Sequence, residues 1–235
     1  MNEFPSKQSV IDAVLEGIKM AKENYFFWTN DRLFLSYGPN KIITIHVAQA
    51  LGKLKEAPEV FIDATVADIL RCSLPDRKAF PEYMQKMGLK QSVFNITLDE
   101  RFPHENDNDS ISRVIISIKN GVRNVKNEYS KEVERLCKML SPDDPSLSKL
   151  DYALFAFYAD LTEGARKKLG ARVPKIVESF DRVVANFPNL QSSFHTIGIK
   201  QVLEAGEWSA GVYEISPKDN FSGRQGALNG CLKKS

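Results

Sequence analysis

This chain of 235 residues lacks a surplus of either charge: 32 basic side chains stand against 30 acidic ones, for a net charge of +2. No global field draws it to a polyanion, so any nucleic-acid-binding surface has to be local. Cysteine is scarce as well. Cys72, Cys137 and Cys231 are an odd number at wide spacings, which argues against a disulfide framework or a zinc site and predicts reduced thiols in a cytoplasmic protein. No apolar run approaches the roughly 20 residues that cross a bilayer, and the opening MNEFPSKQSV lacks the basic-then-apolar order of a signal peptide. The expectation is a soluble protein with no membrane partner. His46, His104 and His195 are isolated, with no HExxH pairing to hold zinc. Glu105, Asp107 and Asp109 alternate like a calcium loop, but its glycine and closing glutamate are missing. Residues 38–41, GPNK, lack the glycine spacing of a phosphate loop, and no GxSxG nucleophile motif occurs. There is neither an internal repeat nor a low-complexity tract.

What is present is enough apolar material, 43% of residues, to bury a sizeable core. From residue 5 to about 23, Val10, Ile11, Val14, Leu15, Ile18 and Ala21 recur with helical period, and Ser6 or Ser9 is available as an N-cap. The aromatic cluster at 25–28 and the turn YGPN at 37–40 follow. A second periodic segment, with Ile43, Val47, Ala50, Leu51 and Leu54, predicts another helix, although residues 42–47 are β-branched enough for a strand. A short strand at 60–64, a short helix at 67–72, and a polar connection bracketed by Pro75 and Pro81 come next. SVFNITL, residues 92–98, alternates as a strand, and the acidic, breaker-rich DERFPHENDNDS after it reads as a loop.

The densest signal lies in residues 112–158. A short apolar strand, SRVIISIKNG, precedes an amphipathic helix, SKEVERLCKML, and a second apolar strand, DYALFAFYADL. Ser117 and Lys119 are two residues apart on the first strand and so point from one face. Lys119 either ends a buried strand inside a site or marks the strand's solvent end and snorkels to water. Beyond this core, residues 163–187 predict a helical region interrupted at Gly170 and Pro174, and residues 208–215 one strand of a terminal hairpin. The final PKDNFSGRQGALNGCLKKS is glycine-rich and polar, in the manner of a mobile or draped tail.

In this order of elements, over residues 38–160, the chain resembles the PD-(D/E)XK nuclease superfamily, whose core is a helix, three strands, a helix and a strand. The resemblance implies an α/β fold with a mixed central sheet flanked by helices. Residues 1–190 would form this restriction-endonuclease-like domain, and residues 191–235 a C-terminal extension packed on it. It also implies a divalent-metal-dependent nuclease acting on DNA phosphodiesters, with Mg²⁺ or Mn²⁺ polarising the phosphodiester and activating a water. Lys119 matches the family's lysine and would position that water. The acid two residues before it is Ser117, however, and the preceding strand carries Asn95 where the aspartate is most often found. Neither brings a negative charge to a cation.

Two compensations are open. A minority of restriction endonucleases take the acid from the following helix, about a dozen residues after the lysine, and Glu132 has that spacing. It lies near the buried face defined by Tyr129, Val133, Leu136, Cys137 and Leu140. The plainer reading is that Glu132 is a solvated member of the run KEVER. The second compensation is an aspartate from elsewhere, Asp99 at the end of the SVFNITL strand or Asp76 in Pro75-Asp76, a pair that is also a common turn. Glu16 or Glu23 would supply the extra carboxylate of some relatives, or lie on the surface.

Arg166, Lys167, Lys168, Arg172 and Lys175 form a basic run with no acid among them, which Arg123, Lys126 and Lys131 extend. On a helix it would track a phosphate backbone, or be ordinary solvated surface. The expectations are thus a Mg²⁺-dependent nuclease with DNA as partner, or a catalytically inactive relative that binds nucleic acid or a protein. Restriction-like enzymes often work as homodimers, though nothing in the sequence marks a dimer surface.

Overall fold

The computed structural model describes residues 4–55, 58–74, 78–100, 110–141 and 148–218. Ser6 caps helix α1 (Lys7–Trp28), its hydroxyl accepting the Ser9 N–H at 3.1 Å, and the expected stripe from Val10 to Ala21 is buried. The helix continues through the aromatic cluster and leaves Phe27 and Trp28 exposed. A 3-10 turn (Leu35–Tyr37) leads to α2 (Asn40–Leu51). The β-branched residues 42–47 are helical because Ile43, Val47 and Leu51 share one face and pack with α1, so burial overrides strand propensity. The two helices meet at Gly17, where an added Cβ would lie 2.5 Å from the Cα of Val47.

The remaining elements are β1 (Glu59–Thr65), α3 (Val66–Ser73), α4 (Phe80–Lys86), β2 (Val93–Glu100), β3 (Ile111–Lys119), α5 (Asn127–Leu140), β4 (Tyr152–Thr162), α6 (Leu169–Val184), β5 (Leu190–Thr196), β6 (Lys200–Val202) and β7 (Gly206–Pro217). Helix α4 occupies part of what reads as a polar connection, and Pro81 sits in its first turn, where a missing N–H costs nothing. Pro174 lies inside α6 without ending it.

The described strands form one mixed sheet in the order β1-β2-β3-β4-β7-β5, with β6 also on β7. Only β3 and β4 are parallel, with α5 in the connection between them; all other pairs are antiparallel. The segment predicted as one strand of a terminal hairpin does pair antiparallel with β6 across a short turn, and it also lies inside the sheet, paired with β4 on one side and β5 on the other. Helices α1 and α2 cover one face, where they meet Val114, Ile116, Ile118, Leu154 and Tyr158. Helices α3, α5 and α6 cover the other, against Ile115, Phe155, Phe157 and Tyr213. Every residue of β4 from Tyr152 to Leu161 is buried as a result. Gly211 on β7 leaves room for the rings of Phe157 and Phe194, which stack on each other with centroids 6.1 Å apart. Both outer edges are irregular: Asp63 in β1 has φ +59°, and Gly198, between β5 and β6, has φ +74°. No helix among the described residues is long and apolar enough to cross a membrane.

Glu214 of β7 is nearly buried and is held by Lys7 of α1 at 2.5 Å and by the Ser193 hydroxyl at 2.8 Å, with His195 Nε2 at 3.3 Å. Burial alone would raise its pKa, but the Lys7 ammonium and the hydroxyls of Ser193 and Ser216 outweigh it and hold the carboxyl below its ordinary value. A depressed carboxyl contributes its full stability above the unfolded pKa of 4.5 and loses it as pH falls through the lower folded value. Urea denaturation as a function of pH is therefore expected to show an acid-side loss of stability that is smaller in Glu214→Gln. Gly17→Ala is expected to cost about 1–3 kcal/mol in the same measurement at neutral pH, since backbone and not a movable side chain blocks the methyl group.

Candidate functional site around Ser117 and Glu132

Lys119 ends β3, and Ser117, on the same face, is fully buried. Helix α5 lies across that face through Tyr129, Val133, Leu136 and Cys137. Glu132 is one position off this stripe and reaches in toward the strand, where its Oε1 accepts the Ser117 hydroxyl at 2.6 Å. The solvated reading of Glu132 does not match this placement, since its side chain is 14% exposed.

The carboxylate is already engaged on its helix. Arg135, three residues on, donates to the same Oε1 at 2.5 Å. The guanidinium lies 3.8 Å from the centroid of the Phe94 ring and donates to the Val93 carbonyl and the Ser92 hydroxyl. It thereby fastens α5 to the start of β2. Asn95 is committed in another way. The register between β2 and β3 runs only from the Ile96–Ile116 pair onward. Just beyond it, the Asn95 Oδ1 accepts the Ile118 N–H at 2.7 Å, in place of a backbone carbonyl. Lys119 is half-buried and makes no hydrogen bond or ion pair among the described residues.

The other proposed carboxylates do not join this group. Asp99 pairs in register with Ser112, five residues before Ser117, which at about 3.3 Å per residue places it roughly 16 Å away. It is buried, accepts from Ser110 and Ser112, and has its pKa raised by burial. Asp76 lies outside the described residues, as do His104, the acidic loop residues Glu105, Asp107 and Asp109, Cys231 and the glycine-rich tail. Glu16 is exposed and pairs with Lys19, and Glu23 is exposed as well. No group of three or more histidine, cysteine, aspartate or glutamate side chains among the described residues is arranged to hold a metal ion. The Ser117 site as folded does not fit Mg²⁺ or Mn²⁺: it brings one carboxylate, paired with an arginine, and an amide oxygen already bonded to backbone, where such ions want several free oxygen ligands.

The carboxyl ends of β3 and β4 carry the predicted cations. Arg123, in the turn after β3, donates from Nε at 3.1 Å and Nη2 at 2.5 Å to Asp160, and from Nη2 to Ser36. Asp160 is fully buried on β4, so Arg123 acts first as its counter-ion. Neither Arg135 nor Asp160 stands out in the sequence. The first has only its i,i+3 spacing to Glu132 as a signal, and the second has none, because its partner is distant along the chain.

Arg172 of α6 reaches back to the same turn, bonding Asn124 Oδ1 at 2.8 Å and the Arg123 carbonyl at 3.4 Å. Its Nε also donates to the Lys167 carbonyl, and Lys168 Nζ to the Glu163 carbonyl. Arg172 thus brings the start of α6 to the β3–α5 turn, and none of Arg166, Lys167, Lys168, Arg172 and Lys175 makes an ion pair among the described residues. Lys126 is exposed, 3.5 Å from Glu128. The first N–H of α6, on Leu169, is taken by the Glu207 carboxylate, so anions at this end would be met by side chains and not by the helix terminus.

No protein-family model, curated protein or solved structure matches this chain.

If the Glu132 carboxylate serves the fold, Glu132→Ala should cost about 3 kcal/mol in urea denaturation, because it strands the Arg135 guanidinium and the Ser117 hydroxyl in a partly buried site. Lys119→Ala should cost less than about 0.5 kcal/mol. Adding Mg²⁺ should leave the wild-type midpoint unchanged.

Proposed function

We propose that this protein is a non-cleaving relative of the restriction-endonuclease-like fold that binds nucleic acid where the β3–α5 turn meets the start of α6. The observation that carries the reading is the bridge from Arg172 to Asn124 and the Arg123 carbonyl. It brings the start of α6, whose cations have no carboxylate partner among the described residues, to the carboxyl ends of the parallel strand pair. Unneutralised lysines and arginines on one local surface are what phosphate-backbone binding needs in a chain of near-zero net charge. The order of elements supports the fold-level part of the proposal: a helix, an antiparallel run of three strands, a helix, and a fourth strand parallel to the third.

The loss of cleavage follows from the chemistry at Ser117. Where the resemblance calls for an acid there is a serine, and where it calls for an aspartate there is an asparagine bonded to backbone. The remaining carboxylate, Glu132, is neutralised by Arg135. One observation favours the rival reading of a Mg²⁺-dependent nuclease: Glu132 does turn toward the strand that ends in Lys119, as a carboxylate moved from strand to helix would.

A single set of measurements addresses both readings. Fluorescence anisotropy with a short labelled DNA duplex should show binding that weakens linearly with log[salt], at about −0.9 per phosphate contact. Lys167→Glu with Lys168→Glu should weaken binding by at least about tenfold and flatten the slope by about 2. Incubation of plasmid and single-stranded DNA with Mg²⁺ or Mn²⁺ should give no cleavage. Cleavage lost in both Lys119→Ala and Glu132→Ala would establish the nuclease reading instead, and binding that ignores salt and charge reversal would overturn the nucleic-acid reading altogether.

A further inference from the structure

Asp99 lies in a different place from the Lys119 site. Helix α3 runs beside β1, β2 and β3 and leaves a cleft of about 270 Å³, just below the usual size of small-molecule sites. Phe61, Ile62, Ala64 and Ile69 line it on the apolar side, Asp99 and Ser112 on the polar side. Asp99 is 4% exposed. Its Oδ2 accepts the hydroxyls of Ser110 at 2.9 Å and Ser112 at 3.2 Å, while its Oδ1 has no hydrogen-bond partner. Burying a carboxylate oxygen without a donor is costly, and the group's pKa is raised by burial first and by the charge of Glu59, which outweigh the hydroxyls of Ser110, Ser112 and Thr97. Glu59 stands directly opposite Asp99 in the register of β1 and β2, an unfavourable juxtaposition of like charges. Asp68 of α3 lines the same cleft, where it is paired with Arg71.

We propose that this cleft is a binding site for a small primary alkylammonium, whose nitrogen donates to the Asp99 Oδ1 and whose chain lies along Phe61, Ile62 and Ile69. The two serine hydroxyls present the carboxyl group as an acceptor, so the missing partner is a donor. A charged donor compensates a buried carboxylate better than a neutral one. Asp99 and the neighbouring Glu59 disfavour an anion, Asp68 being paired with Arg71. A metal ion would ask for several free oxygen ligands, and the described residues form no such group. The apolar wall is what an alkyl chain, and not a hydrated ion, would use.

The test is a titration of the full chain with n-pentylammonium, n-pentanol and n-pentanoate, followed by amide chemical shifts at Ala64 and Asp99. Saturable binding is expected for the ammonium, about tenfold weaker binding for the alcohol, and none for the carboxylate. Asp99→Asn should bring the ammonium down to the alcohol's affinity, and Phe61→Ala should weaken both. If Asp99→Asn does not fold, the comparison of the three ligands on the wild-type chain decides. Equal affinity for ammonium and alcohol, or no saturable shift with any of the three, overturns the proposal.

Discussion

Both faces of β4 and β7 are shut off from water, and the architecture turns on that constraint. A polar group on a doubly covered strand has to find a partner in the protein. Four of them find it in a different element, while the Tyr152 hydroxyl on β4 has none among the described residues. Asp160 of β4 holds the turn after β3 through Arg123. On β7, Glu214 holds the start of α1 through Lys7, Glu207 holds the first N–H of α6, and the Tyr213 hydroxyl donates to Asp181 of α6. The strand that reads as terminal in sequence is thus a central tie between the two helical layers.

Ser117 and Glu132 follow the same logic on β3. A serine in the middle of a buried strand needs an acceptor, and Glu132 supplies it; a glutamate that leaves water needs a counter-ion, and Arg135 supplies that. The triplet ties strand to helix as a structural joint, with only the buried Arg135 Nε left without a partner among the described residues, which is why it reads poorly as a metal cage. Lys119, by contrast, sits at the strand's end without such a tie among the described residues. The two residues the sequence placed side by side as catalytic candidates therefore live in different physical settings.

The sequence was legible where period and burial agree. The stripe on α1, the apolar strands β3 and β4 and the inward face of α5 all follow from local patterning. It was less legible where long-range packing decides. The β-branched start of α2 is helical because α1 covers it. Pro81 opens a helix where a breaker was expected, and Pro174 is tolerated within another. The position of β7 depends on pairing with strands far away along the chain, which no local pattern reports. At the site, the helix position of Glu132 let it turn toward β3, but the partner it meets there is Ser117. The Arg135 clamp and the Asp160–Arg123 pair leave no mark in sequence, because a charge looks the same there whether it is solvated or neutralised. Asp99 was visible as an acid near β2, yet the extended strand carries it roughly 16 Å from Ser117.

The irregular edges have a consequence for how copies of this molecule meet. An exposed edge strand is a template on which another chain's strand adds. On β1, Asp63 turns the backbone into the left-handed region and is pinned there by Lys41 of α2. On the opposite side, the break at Gly198 splits the outer strand into β5 and β6. Neither rim offers a long unbroken ladder of free backbone donors and acceptors. The sheet resists growth by edge-to-edge stacking, so self-association would have to proceed through helices and loops, and even the apolar Phe61 and Ile62 on β1 sit beside a kink that discourages fibre-like addition.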